Sequence, residues 1–433
     1  MPERILLQAD YILTWDGELK LITQGEIVIE DSLITYLGSR QERPAENFGR
    51  VLKIRDSLVI PGFVNTHTHA AMALFRGYAD DLSLQEWLQD KIWPAEAKLS
   101  SEDIYWGTLL AIAEMLKGGT TCFADMYFHM DEVARACLES GIRASLAQGL
   151  IGTDKIKGEL GLRQSRSLVQ NWHNEGEGRI TVMLGPHAPY TCPPDYLYKV
   201  GELAGDLRVP IHIHLAETRR EVEESRREHG KTPVELIAEV GLLEHDLLAA
   251  HCVHLAEADL GLLAAKNVAV AHNPGSNLKL GSGVAPVTEL LQKGALVSLG
   301  TDGAASNNNL DLLEEMRLAA LLQKGLREDP AAIPAETAFK MATVNGARAL
   351  FLPAETGQLK VGAKADLAVL KIDKPHLSPP HSFLAHLVYS AAAADVYLVM
   401  VDGRVLMENG HLLTLDEEKI LFEAPPRAQR LTE

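Results

Sequence analysis

Short apolar runs and longer amphipathic stretches take turns along the middle of the chain. Runs of strand length occur at Leu58–Val64, Thr120–Ala124, Ala144–Leu150, Ile180–Leu184, Ile211–Leu215, Leu247–Ala250, Val268–Ala271 and Leu296–Leu299. Between most of them apolar positions recur with the helical period, as in Ile104–Leu116, Val222–Glu228, Pro233–Glu239 and Leu310–Gln323. Eight strands alternating with helices predict a (β/α)8 barrel over residues 58–350. The competing layout is a doubly wound open sheet. It is weakened because no GxGxxG opens a helix after any strand and no P-loop is present.

The two ends read differently. Ile5–Thr14 and Glu26–Leu37 are rich in Ile, Leu, Val and Tyr, broken by Asp16-Gly17 and Asp31-Ser32. Asp366–Ile372 and Val396–Val401 are alike, and Asp402-Gly403 supplies a hairpin turn before Arg404–Met407. Residues 1–57 and 351–433 therefore predict one small β-sandwich assembled from both termini. A length of 433 residues allows about three domains at ~150 residues each. The pattern reduces them to two.

Composition narrows the function classes. Hydrophobic residues at 46% and charged ones at 23% are ordinary for a soluble globular chain. With 59 acidic and 41 basic residues the net charge is −18, which argues against a nucleic acid polymer as partner but leaves room for a neutral nucleoside. Cys122, Cys137, Cys192 and Cys252 show no CxxC spacing and predict free, mostly buried thiols in a reducing compartment. Gln8 and Asp10 interrupt the only apolar run near the start, so no secretory segment is expected. No stretch reaches the ~18 apolar residues of a membrane span. The expectation is a cytoplasmic protein with no membrane partner, and a homo-oligomer is compatible with it.

Among the 16 histidines, several fall in short, tightly spaced clusters where the strands end, and these carry the chemistry. The first run finishes Asn65-Thr66-His67-Thr68-His69, and residues two apart on an extended segment point the same way, so both imidazoles can meet one metal. The fourth run is followed by Pro186-His187. The fifth ends His212-Ile213-His214-Leu215-Ala216-Glu217, the sixth His251-Cys252-Val253-His254, the seventh His272, and the eighth Thr301-Asp302-Gly303. Barrel active sites lie at the C-terminal ends of the strands, so these groups converge there. A lone histidine at a strand end is usually a hydrogen-bonded structural residue, and Asp-Gly is usually a turn. Polar endings on most of eight successive strands are not explained that way. Three imidazoles with one carboxylate suit Zn²⁺, with Fe²⁺ second, and a water completes the shell. Gly185-Pro186-His187 offers no lysine to bridge a second metal, so a mononuclear site is expected.

These segments resemble the amidohydrolase superfamily, in its mononuclear deaminase branch. The resemblance rests on Pro61–His69, His214-Leu215-Ala216-Glu217-Thr218, Ala250–His254, His272-Asn273-Pro274-Gly275-Ser276-Asn277 and Gly300-Thr301-Asp302-Gly303, with Val361–Leu367 and Val401-Asp402-Gly403 near the C-terminus. It implies a barrel beside a sandwich built from both chain ends. Within the superfamily the chain looks most like the 5-methylthioadenosine/S-adenosylhomocysteine deaminase family, on Trp87–Glu96, Gly185–Tyr190 and Thr301–Asp311. By that resemblance His67, His69, His214 and Asp302 would bind the metal, and Glu217 would contact the purine and shuttle protons. Glu96 and His187 would bind the ribose hydroxyls and Trp87 would pack on the substrate. Two family arginines for the substrate tail correspond to Gln148 and, in a loosely aligned loop, Arg163. Gln148 departs from the pattern and favours a short neutral tail such as methylthio over a homocysteine carboxylate.

The chemistry expected is hydrolytic deamination of an adenine thioether nucleoside. Glu217 can protonate the ring nitrogen next to the attacked carbon, Asp302 can accept the water's proton and pass one to departing ammonia, and His251 can orient the water. Cys252 alternates to the opposite face and reads as core. A relative acting on another aromatic C–N or C–Cl bond (guanine, cytosine, chlorotriazine) is the alternative, with Glu96 and His187 as the discriminating pair. A non-catalytic metal-binding scaffold is the remote one, disfavoured because Glu217 and His251 serve catalysis rather than ligation.

Overall fold

The structure, a computed structural model, describes residues 4–42, 48–354 and 356–433, so small parts of the expected terminal sandwich (1–3, 43–47 and 355) lie outside the described residues. Eight parallel strands form one sheet, in chain order: Phe63–Thr68, Thr120–Tyr127, Arg143–Leu150, Ile180–Pro186, Ile211–Leu215, Leu247–His251, Ala269–His272 and Leu296–Leu299. Nearly every residue in them is buried, as expected for a parallel sheet covered on both faces. The ring is drawn together where the Thr66 hydroxyl donates to Leu299 O (2.8 Å) and Asp302 N donates to His67 O (2.9 Å), so the first strand meets the eighth. Helices surround it. Pro233–Glu239 is helical over its full predicted length, and Ile104–Leu116 and Val222–Glu228 lie inside Ser101–Lys117 and Arg219–His229.

The expected first barrel run, Leu58–Val64, is two strands in two different sheets. Ser57–Pro61 pairs with Arg4–Trp15 and Leu367–Lys371, whereas Phe63–Thr68 pairs with Thr120–Tyr127. The break falls at Gly62, where a Cβ would collide with Thr121, so only glycine lets the chain pass from one sheet to the other there. Hydrophobicity runs unbroken through this point because both strands are buried.

Among the described residues the second sheet has nine strands drawn from both ends of the chain, with Arg4–Trp15 paired to Leu19–Glu30, Arg50–Lys53 and Ser57–Pro61. Its inward residues, among them Leu7, Ile29, Val59, Val369 and Met400, form a core separate from that of the barrel. The last segment differs from the β-rich expectation. Glu417–Thr432 is a helix carrying Pro425 and Pro426, packed against barrel helix Ser101–Lys117, with Arg430 bonded to buried Asp103 (2.6 Å). The double proline reads as a breaker along the chain; the tertiary contacts outweigh it. No described helix is long and apolar enough to cross a membrane.

Candidate active site

At the C-terminal ends of the strands, His67, His69, His214 and Asp302 gather around one point. The outer nitrogen of each imidazole is already engaged. His69 Nδ1 donates to Met126 O (2.6 Å), His214 Nδ1 donates to His187 O (2.7 Å), and His67 Nδ1 pairs with His212 Nε2 (2.8 Å). Carbonyl acceptors at Nδ1 fix the tautomer, so the Nε2 lone pairs of His69 and His214 face each other at 3.3 Å. His67 Nε2 is buried without a hydrogen-bond partner, and Asp302 Oδ1 lies 3.5 Å from it and 3.3 Å from His69 Nε2. Lone pairs aimed together in a buried place repel unless a cation lies among them. The residues present therefore fit one divalent ion.

Protonation states agree with that fit. Burial holds the His67 imidazole down to about 4 and His214 well below its ordinary value, so both are neutral. Burial works against the charge on Asp302, but its setting beside the His67, His69 and His251 rings outweighs it and keeps the carboxyl well below the usual range. Ser276 and Ser306 hydroxyls donate to its Oδ2 (2.6 and 2.9 Å), and Gly303 N donates to Oδ1 (2.8 Å). Neutral imidazoles beside an ionised carboxylate are what a metal requires of its ligands.

Glu217 and His251 stand together beside this cluster, Oε2 and Nε2 3.9 Å apart. Burial raises the Glu217 carboxyl above its ordinary value, a shift that His251 reduces without cancelling. Burial opposes protonation of His251, yet Glu217, then Asp302 and the Asn277 contact, outweigh it and raise its pKa. His251 Nδ1 is held by Asn277 Oδ1 at 2.8 Å. A carboxyl that keeps its proton nearer neutrality can act as a donor. Cys252 is buried in the apolar core and burial pushes its thiol up, as read from the sequence.

One cavity joins these groups to part of the expected substrate shell. Trp87, Glu96 and His187 line it together with His69, His214, Glu217, His251 and Asp302. The Tyr127 hydroxyl donates to Glu96 Oε1 (2.6 Å), and burial raises that carboxyl. His187 Nδ1 pairs with the Thr191 hydroxyl (2.9 Å). The rest of the wall is largely apolar and includes Leu84, Leu88, Ile92, Trp93, Phe128 and Ile151; among the described residues no Lys or Arg lines it.

The two tail positions are not brought to this cavity. Gln148 is in the third barrel strand, 8% exposed, with its amide turned to Gly149 O (3.5 Å), and it is absent from the lining. Arg163 belongs to helix Lys155–Trp172 rather than to a loop, and it lines an outer groove with Glu159, Arg166 and Lys199. The correction has a local cause. Asp154 caps this helix by accepting from Ile156 N and Lys157 N, so Arg163 sits about two turns into a surface helix.

Of the supporting groups, His212 shares the face of His214 by alternation and is legible from the spacing, though not as a partner of His67. Ser276 lies inside a quoted motif. Glu221 closes a Thr218-x-x-Glu221 helix-start pattern, whereas Tyr127 and Ser306 carry no signal along the chain.

Comparison with known proteins follows the geometry. The model of the amidohydrolase family matches residues 58–406. The chain is 53% identical over 429 residues to a 5-methylthioadenosine/S-adenosylhomocysteine deaminase of Pelotomaculum thermopropionicum, covering 99% of this chain and 98% of that protein. It is 50% identical over 428 residues to a 5'-deoxyadenosine deaminase of Methanosarcina acetivorans, with 99% and 98% covered. A zinc-bound adenosine deaminase from Xanthomonas campestris superposes with a TM-score of 0.95 at 34% identity, covering 100% of this chain and 99% of that one.

Proposed function

The chain belongs to the amidohydrolase family, and from that premise we propose that it is a metal-dependent deaminase of adenine nucleosides whose 5′ substituent is small and neutral. The overall reaction replaces the adenine C6 amine by oxygen and releases ammonia. The observation that carries the reading is the cavity in which Glu217 and His251 adjoin the histidine–aspartate cluster while Glu96 and His187 line the same walls.

His67, His69, His214 and Asp302 would hold one divalent ion, Zn²⁺ in preference to Fe²⁺ given three imidazoles and one carboxylate. When bound, such an ion supplies an acidified water at neutral pH. Glu217 donates its proton to the ring nitrogen beside C6, which removes the anion that attack would create. His251 Nε2 accepts a hydrogen bond from the water and holds its direction. Asp302 takes one proton from the water and delivers it to the departing amine. The second water proton, left on the C6 hydroxyl, passes back to Glu217 as the carbonyl forms, so ammonia leaves and both carboxyls regain their starting states. Glu96, kept in place by Tyr127, and His187 hold the ribose hydroxyls, while Trp87 packs on the substrate.

Tail preference is supported by what the walls contain. A homocysteine carboxylate buried against apolar side chains without a cation is costly, and neither Gln148 nor Arg163 supplies one. Methylthio and 5′-deoxy groups lose nothing there. Metal-analysed protein incubated with methylthioadenosine, 5′-deoxyadenosine, S-adenosylhomocysteine, guanine and cytosine tests this by ammonia release. The neutral-tailed nucleosides should turn over best, and preference for a free base would sink the nucleoside reading.

A further inference from the structure

Strand alternation alone would point Glu217 away from the cavity. His214 faces the cluster, so Leu215 and Glu217 share the opposite parity, and Leu215 is in the outer core. Glu217 nevertheless lines the cavity, because Ala216 is left-handed (φ +50°) and turns the chain back. A non-glycine residue in that conformation needs outside support.

The support comes from the carboxylate of Glu221. Its Oε1 accepts from Ala216 N (2.9 Å) and its Oε2 accepts from Glu217 N (2.8 Å). Glu221 is the third residue of helix Arg219–His229, whose first turn is capped by the Thr218 side chain accepting from Glu221 N. In the ordinary reciprocal cap, a glutamate at this position reaches back to the backbone N–H of the capping residue itself. Here it reaches past Thr218 to the two residues before it. The other side of the turn is tied to the end of the sixth strand. Ala216 O accepts from Val253 N (3.1 Å) and His254 N (2.9 Å), and Leu215 O accepts from Cys252 N (3.0 Å). His251 and Cys252 are also left-handed (φ +73° and +49°), so the turns bearing Glu217 and His251 are zipped to each other. Glu221 is 4% exposed and does not line the active cavity.

We propose that Glu221 is a positioning residue for the deamination: its two-oxygen grip on the Ala216–Glu217 backbone sets the turn that aims Glu217 at the substrate ring. The inference rests on the reading of Glu217 as the proton carrier. A glutamine at 221 has nearly the same shape but one acceptor oxygen, and its NH2 would face a backbone N–H. The turn then loses one of its two anchors while the metal ligands keep theirs.

The test is a double-mutant cycle on metal-loaded full-length protein, following methylthioadenosine deamination, KM, metal content and Tm. Glu221→Gln should lower kcat by about 10-fold or more with KM within about threefold and metal content unchanged. In a Glu217→Gln background the same change should cost less than about threefold, because its effect passes through Glu217. Ser225→Ala, which removes a bond to Lys231 O near the other end of the same helix, should lower Tm and leave kcat at the parental level. If Glu221→Gln does not accumulate as folded protein, Glu221→Asp keeps the charge with a shorter reach and should show an intermediate fall in kcat. Parental kcat in the folded Glu221 variant beside an inactive Glu217→Gln would overturn the inference alone, as would equal losses in both backgrounds. Parental kcat in Glu217→Gln would overturn the reading beneath it and the inference together.

Discussion

Two buried polar clusters sit at opposite ends of the barrel strands. At the C-terminal ends, His67, His69, His214 and Asp302 present nitrogen and oxygen lone pairs to one another, a donor set that fits a divalent ion. At the N-terminal end of the third strand, Arg143 lies between Asp366 (2.9 Å) and Asp402 (3.7 Å), and Lys364 and Arg179 also face Asp402 (3.0 and 3.7 Å). The second cluster joins the barrel to the terminal sheet and every carboxylate in it faces a cation. The Arg143, Asp366 and Asp402 side chains are buried as deeply as those of the first cluster, while Lys364 and Arg179 are partly exposed. What separates a joint from a site is whether the charges complete one another or leave a place for something else.

The largest effect expected is on the incomplete cluster's neighbour. Glu217→Gln should retain metal and lose about 1,000-fold in kcat, and a loss under about 10-fold would remove it from the proton path. On the complete cluster, Arg143→Met takes the cation from buried Asp366 and one of three from Asp402, and should cost about 3–5 kcal/mol in urea unfolding, with metal content of the folded protein unchanged. A cost under about 1 kcal/mol would mean that the network contributes little to the joint.

Acid acts on the buried histidines of the barrel. Burial holds His187 and His272 down to about 3 from an ordinary 6.5, and neither nitrogen of His272 has a partner. A histidine kept neutral in the fold takes up its proton only on unfolding. The stability it contributes is full above pH 6.5 and drains as pH falls through that value toward 3. His272→Leu should therefore flatten the fall in stability between pH 6 and 4 by about one proton, or ~1.4 kcal/mol per pH unit. An unchanged slope would refute the assignment. The smallest effect belongs to Tyr127→Phe, which removes one donor from Glu96 and should raise KM for the nucleoside about 5- to 10-fold with kcat nearly constant. A fall confined to kcat would instead put Tyr127 in the chemistry.

Legibility along the chain followed the range of the forces involved. Seven of the eight barrel strands lie within a few residues of the expected runs because burial on both faces leaves a local apolar run, and the first overlaps its run only at Phe63 and Val64. The boundary at Gly62 was hidden because hydrophobicity does not change where the chain leaves one buried sheet for another. Helix Glu417–Thr432 was hidden because its stability comes from docking on Ser101–Lys117, against the local effect of Pro425 and Pro426. Arg163 was misplaced because a loosely matched segment proved to be a capped surface helix.

For the site, the division is sharper. Alternation along a strand is a local property, so His67 with His69, and His212 with His214, can be paired by face from the sequence alone, and polar endings on most of the strands mark the end of the barrel that would hold chemistry. Which nitrogen of each ring stays free could not be read that way. It depends on carbonyls of Met126 and His187 and on the His212 ring, which come from other strands. Closure of the ring brings Asp302 beside His67, 235 positions away, and the left-handed turn at Ala216 swings Glu217 to the face that alternation denies it. Residue types and their faces follow from the chain's own geometry; the coincidence of lone pairs follows only from packing distant segments around one core.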